Sequence, residues 1–254
     1  MKALKFSYAS LIYLFLYLPI IIVVVFSFNS TYHSLLWHHF SLHWYSVLFH
    51  DDDIGLVTLH SLVVAISAAT LACIIGSLIA IGFYRYKYLG RKILFSTILV
   101  LVIIPDLVMG IAFLVFFASA KIPLGFCSLL IAHISFCIPF VVITIISRLN
   151  QLDRSLIEAS QDLGASDFVL YKSILLPLLL PAIISSWLLS FALSIDDVMI
   201  SYFVTGPSYQ ILPLKIYSMV KLGVNPEINA LSSLLLLATL ILVFVGFRFG
   251  RSSK

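Results

Sequence analysis

Long uninterrupted apolar runs constrain this chain more than any other feature. Residues 9–28, 57–83, 93–119, 126–147, 181–204 and 229–247 are each long enough to cross a bilayer as helix, given a hydrocarbon core of roughly 30 Å. Lipid offers no partner for backbone N–H and C=O groups, so a spanning segment must satisfy its own. The runs are continuously apolar, not alternating over ten-residue strands, and this excludes a β-barrel. We therefore expect an all-α polytopic membrane protein with six transmembrane helices in a single domain, residues 1–254. Composition agrees: 62% of residues are hydrophobic and 10% charged, against about 25% charged in a soluble domain. The first run is long for a signal sequence and no small-x-small cleavage site follows it, so it is read as an uncleaved span.

The charges orient the set. Lys2, Lys5, Arg85, Lys87, Arg91, Lys92, Arg148, Arg154, Lys172, Arg248, Arg251 and Lys254 fall on one side, and only Lys121, Lys215 and Lys221 on the other. The positive-inside rule then places both termini in the cytoplasm. A net charge of +4, dispersed in this way, provides no phosphate-tracking surface and excludes a nucleic-acid partner. Cys73, Cys127 and Cys137 lie in apolar segments without metal-ligand spacing and read as buried small hydrophobes. His33, His38, His39, His43 and His50 crowd the first outer loop; His39 and His43 could lie one turn apart on a helix, but no acidic residue is close to that pair in sequence, and a metal is not favoured. The three aspartates at 51–53 either cap a helix or face solvent. Thr205–Ser208 reads as a turn, and the stretch after it, with Pro213 and Lys215, as an interfacial helix or a partly re-entrant segment.

The longest inner loop, RLNQLDRSLIEASQDLGASDFVLYKSILLPLLLP (148–181), is the most informative. Leu152, Leu156, Ala159 and Leu163 can share part of a helical face. Ser166 suits an N-cap, with Asp167 in the following first turn and Gly164 at the break between two short helices. Within the loop, Glu158 and Ala159 are followed by Gly164 and, ten residues later, by Ile174, Leu176 and Pro177. This resembles the EAA loop of ABC-importer permeases, with Ser160 where the second alanine is usual. The stretches YLPIIIVVVFSFN, GFYRYKYLG, SFALSIDDVMISYFVTGP and LPLKIYSMVKLGVNPEINAL extend the likeness along nearly the whole chain. Within that family they are similar to permease subunits of bacterial spermidine/putrescine importers.

The resemblance implies the type I importer (MetI-like) permease fold and a multi-pass protein of the bacterial inner membrane. It implies that 148–180 is the coupling loop, docking residues 154–170 on an ATP-binding subunit. Glu158, Ala159, Ser160, Gly164, Ile174, Leu176 and Pro177 would carry that coupling. It also implies the partners: a homologous second permease subunit, two copies of the ATPase and a periplasmic polyamine-binding protein. No GxxxxGK[ST] P-loop occurs, so no cofactor is assigned to this chain, and ATP with Mg²⁺ would be bound by the partner subunits. The chain itself is not expected to be an enzyme.

Three carboxylates stand inside apolar runs. If residue 182 marks the inner boundary, Asp196 lies roughly 21 Å along its helix, and Asp106 about 20 Å along the third span. Charge at such depth faces a cavity, a partner or a pathway. Asp196 and Asp197 point about 100° apart on a helix, so both cannot face one pore squarely unless the helix unwinds. Two readings stand for these aspartates: substrate-pathway groups for a cation, or hydrogen bonding between helices. Trp187, Tyr202 and Phe203 are the aromatic candidates for cation–π contact, although packing is the commoner fate of a tryptophan at that depth. Pro105 is expected to kink the third span and aim Asp106. His133 reads as a packed, hydrogen-bonded histidine. The rival functional classes are a proton-coupled secondary transporter with an aspartate relay, and an ABC permease for another small cationic or organic solute.

Overall fold

The computed structural model describes residues 2–31, 36–223 and 226–251, with side chains described except at 2–5, 7, 154, 157, 161 and 242–251. His33 and Lys254 therefore lie outside the described residues. The chain is helical almost throughout, with one isolated antiparallel bridge, Asn29 to Phe40, among the described residues. Two compact units are present: Met1–Val57 with Lys215–Phe247, and Thr58–Leu214 with the end of the chain.

The first unit contains α1 (Lys2–Phe26), α2 (His43–Phe49), the start of α3 (Asp52–Arg85), most of α11 (Leu212–Leu222) and most of α12 (Pro226–Arg251). Asp51 caps α3: its Oδ1 accepts from the N–H groups of Asp53 (2.9 Å) and Ile54 (3.2 Å). Asp53 pairs with Lys215 Nζ at 2.5 Å. Buried Asn29 holds the segment after α1, donating to Leu36 O and accepting from the His38 N–H, both at 3.0 Å. The stretch after the 205–208 turn forms α11.

The second unit carries the core. Ala68, Ala72, Gly76 and Ala80 follow at four-residue intervals on one buried stripe of α3. On α9 (Leu176–Asp196) the buried stripe is Ala182, Ser186, Ser190 and Ser194. Against it, α6 (Phe126–Leu149) turns His133, Cys137, Val141 and Ile145. Lipid tails supply no hydrophobic drive between helices, so close approach of small residues does the packing. Cys137 Sγ lies 3.5 Å from Ser190 O, and Cys73 Sγ 3.5 Å from Ser186 Oγ. Cys127, by contrast, is exposed.

The structure corrects the expected six spans. Among the described residues four helices are long and apolar enough to cross a membrane: Tyr8–Phe26, Asp52–Arg85, Phe126–Leu149 and Asp167–Asp196. A fifth is obtained only by joining α4 (Arg91–Ile103) to α5 (Asp106–Ser119), which meet at a bend of 113°. Pro105 causes the break. It pushes Ile104 into the extended region, at ψ 131°, so the helix ends there and restarts at Asp106. This is a full break where a kink was expected. At the sixth position, the apolar part of α12 among the described residues is the shorter Pro226–Ile241.

A second break follows α9. Asp197 is extended at ψ 122°, and α10 (Met199–Val204) starts two residues later. The restarted pieces α5 and α10 pack together at Gly110, where an added Cβ would fall 3.1 Å from Met199 O and 3.2 Å from Ile200 Cα.

Gly76 offers a direct test of the small-residue stripe. A Cβ there would sit 2.7 Å from Val141 Cγ1 and 2.8 Å from its Cβ. Gly76→Ala is expected to destabilise by about 1–3 kcal/mol, the usual cost of overpacking, and Val141→Ala in the same chain to restore part of the loss. Gly82→Ala, with nothing within 4 Å of the new atom, serves as the neutral control. Thermal midpoints of the purified membrane protein report all three.

Candidate functional site

The two helix breaks bring the intramembrane carboxylates together. Asp106 opens α5, and Asp196 and Asp197 close α9. All three line one cavity of about 370 Å³, together with Phe136, Leu189, Leu193 and Met199. Asp106 and Asp196 are exposed, whereas Asp197 is buried.

Asp197 is occupied locally. Its carboxylate accepts from the N–H groups of Ile200 (3.3 Å) and Ser201 (2.8 Å) and from the Ser201 hydroxyl (2.8 Å). These are orphan donors of the first turn of α10, which water or lipid cannot satisfy here. His133 extends the network. Its Nε2 is 2.9 Å from Ser201 Oγ and 3.5 Å from Asp197 Oδ2, and its Nδ1 is 2.7 Å from Ser194 Oγ. One proton pattern satisfies every member: Ser194 donates to Nδ1, Nε2–H donates to Ser201, and Ser201 donates to Asp197. The chain of bonds thus joins α6, both sides of the α9 break and α10. His133 is the packed, hydrogen-bonded histidine expected from sequence. Ser194 and Ser201 were not singled out there, although the four-residue spacing of buried serines on α9 is a signal for Ser194.

The aromatic candidates are not brought to this cavity. Trp187 donates from Nε1 to Thr70 Oγ1 at 3.0 Å and stacks on Phe191 at 5.5 Å. It ties α9 to α3. Tyr202 is exposed and meets Phe203 edge to face, and neither ring lines the acidic cavity.

The inner loop forms one short helix, α7 (Arg154–Asp162), then a turn at Gly164 with φ +78°. Ser166 caps the next segment by accepting from the Val169 N–H at 3.4 Å. That segment is not an isolated second helix. It runs through α8 (Asp167–Val169) and a widened π turn (Leu170–Leu175) directly into α9. Pro177, lacking an N–H for the Ser173 carbonyl, accounts for the widening. Glu158 and Ala159 are exposed, and so are Leu156, Leu163 and Phe168. Ser160 is buried, which explains a small side chain there. Ile174 packs on the core beside Leu152, Leu176 is half-buried and Pro177 is exposed. Asp167 pairs with Arg85, which fixes the loop to the end of α3. Asp153 accepts from the Ser155 N–H at 3.0 Å at the start of α7, and hydrogen bonds with Ser155 hold its carboxyl below the usual range.

Among the described residues no group of three or more His, Cys, Asp or Glu could hold a metal ion.

Substitutions should separate the two adjacent aspartates. Asp197→Ala leaves buried donors unsatisfied and is expected to cost roughly 2 kcal/mol or more. Asp196→Ala, at an exposed position, should leave the thermal midpoint nearly unchanged.

Comparison with known proteins adds a family and a fold. Residues 72–252 match the family described as "Binding-protein-dependent transport system inner membrane component". The chain is 49% identical over 242 residues to the spermidine/putrescine transport system permease protein PotC of Escherichia coli K12, covering 95% of this chain and 92% of that one. Its fold matches a chain of a bacterial alginate ABC transporter, solved with an alginate pentasaccharide-bound periplasmic protein, at a TM-score of 0.77 and 15% identity, covering 100% of this chain and 95% of that one. A chain of the MetNI methionine ABC transporter in an inward-facing conformation matches at a TM-score of 0.66 and 18% identity, covering 80% of this chain and 99% of that one.

Proposed function

Because the chain belongs to the inner membrane components of binding-protein-dependent transport systems, we propose that it is a permease subunit of an ATP-driven spermidine/putrescine importer working by alternating access. The observation that carries the reading is the 49% identity to a polyamine permease along 95% of this chain. The acidic cavity supports the substrate class. Polyamines carry ammonium groups separated by methylenes. Asp106 and Asp196 supply exposed carboxylates, and Leu189 and Leu193 supply apolar surface between helices. Asp197, used up by α10, takes a positioning role: it holds the break that presents Asp196. Trp187 and Tyr202 would serve packing and the periphery of the path.

The whole of residues 1–254 acts as one permease domain in the inner membrane, with both termini in the cytoplasm, as the basic residues favour. A homologous permease subunit completes the pore. One of two ATP-binding subunits docks on the coupling loop of this chain through exposed Leu156, Glu158, Ala159 and Leu163, the other on the sister permease, and a periplasmic polyamine-binding protein delivers substrate. ATP and Mg²⁺ belong to the ATPase subunits. Ile174, Leu176 and Pro177 transmit the loop's movement into α9, with which they are continuous. A permease for another solute is the second reading. It is favoured by the fold's occurrence in methionine and alginate transporters, so the fold alone does not select polyamines.

Two measurements test this. In proteoliposomes holding this chain with its three kinds of partner, internal ATP should drive labelled spermidine or putrescine uptake. Asp196→Asn and Asp106→Asn should lower it about tenfold or more while assembly persists, since a carboxylate–ammonium contact out of water exceeds a surface pair. Uptake of neither polyamine by an assembled complex would reject the substrate class. In the loop, Gly164→Val strains a left-handed position by about 1–2 kcal/mol whatever the space around it. It should reduce uptake more than ATPase activity, and Gly164→Asn, which tolerates that conformation, should retain most of both.

A further inference from the structure

A second cavity, of about 700 Å³, lies at the opposite end of the second unit from the breaks, where α3 ends, α4 begins and α6 ends. Lys87, Arg91 and Lys92 line it, and no acidic residue does. None of the three makes an ion pair among the described residues, whereas neighbouring Arg85 is taken by Asp167. The remaining wall is aromatic and aliphatic, including Tyr84, Tyr88, Phe95 and Ile146. At the tip of the turn Leu89 is fully exposed, and Ile93, one residue past the last cation, is 73% exposed. Cations beside a greasy, tyrosine-edged cleft at the end of spanning helices match the level of a membrane's headgroups.

We propose that this cleft binds an anionic phospholipid of the cytoplasmic leaflet. Lys87, Arg91 and Lys92 contact the phosphate, and Phe95 and Ile146 receive the upper acyl chain. The exposed Leu89 argues for a lipid over a soluble phosphate, because a free anion gives that side chain nothing to bury against. The Arg85–Asp167 pair places the cleft on the same side as the inner loop, so its cytoplasmic position rests on the topology proposed above. Through that pair a bound lipid would steady the base of the coupling loop.

Native mass spectrometry of the assembled, detergent-purified complex tests it, with phosphatidylglycerol or phosphatidylcholine added. Retention of phosphatidylglycerol but not phosphatidylcholine is expected, weakened by about fivefold for each cation replaced in Lys87→Ala, Arg91→Ala and Lys92→Ala. Because these cations also guide topology, Ile146→Trp provides a second variant: it fills the cleft, keeps every charge, and should also weaken retention. Assembly is read in the same spectra, and lipid binding is independent of uptake, so a wrong substrate assignment would leave this result standing. Equal retention of both lipids, retention unchanged in the variants, or displacement by inorganic phosphate would overturn the proposal. So would Lys87 and Lys92 that stay unreactive to an amine reagent after lipid removal, which would assign the cleft to a protein partner.

Discussion

Backbone hydrogen bonding has no outside supplier within a bilayer, and the rest of this structure follows from that shortage. Where the helices run unbroken the requirement meets itself. Where they break, at Ile104–Pro105 and at Asp197–Val198, side chains must repair the exposed turn. Asp197 does so for α10 by accepting two backbone N–H groups and a serine hydroxyl. At the other break Pro105 contributes no N–H to lose, and its carbonyl accepts from Val108 and Met109 at 2.9 and 3.1 Å. The breaks are where ionisable side chains can turn toward a cavity without wrecking a span. The acidic site is therefore a consequence of discontinuous helices as much as of the aspartates themselves.

The same shortage shapes the packing around the site. The stripes of alanine, glycine and serine on α3 and α9 let backbones approach closely, and the Ser186 and Ser194 hydroxyls meet Cys73 and His133 across the gap. His133 closes the arrangement. Held between Ser194 before the break and Ser201 after it, the ring spans the discontinuity and fixes the angle at which α10 departs. A rigid break of this kind presents Asp196 to the cavity at a set position. Two adjacent, chemically identical residues thus divide the labour, one holding the backbone and the other facing outward.

At the inner end, exposure carries the meaning. Leu156 and Leu163, before the start of the Asp167–Asp196 helix, and Phe168, in its first turn, are all exposed large apolar side chains. Ser160, by contrast, is buried against the chain. From Asp167 the chain runs through the widened π turn into α9 and on to Asp196 without a break.

The sequence by itself determined the solvent, the helical class, the family likeness and the loop's landmarks. Apolar run length, the spacing of Glu158, Gly164 and Pro177, and the capping habit of Ser166 are all local properties. Tertiary structure decided the rest. Among the described residues six runs became four spanning helices, or five with the bent pair: Pro105 bends the third run by acting on the direction of the chain, which run length does not encode, and the described apolar part of α12 is the shorter Pro226–Ile241. Asp196 and Asp197 are neighbours in one apolar run and look alike there. Only the unwinding between α9 and α10 buries one and exposes the other. Trp187 does not line the acidic cavity, and its N–H is bonded to Thr70, over a hundred residues away. For Trp187, and for His133 across the α9 break, the deciding partner is distant in sequence, and a hydrogen bond between distant segments exists only once the helices are packed.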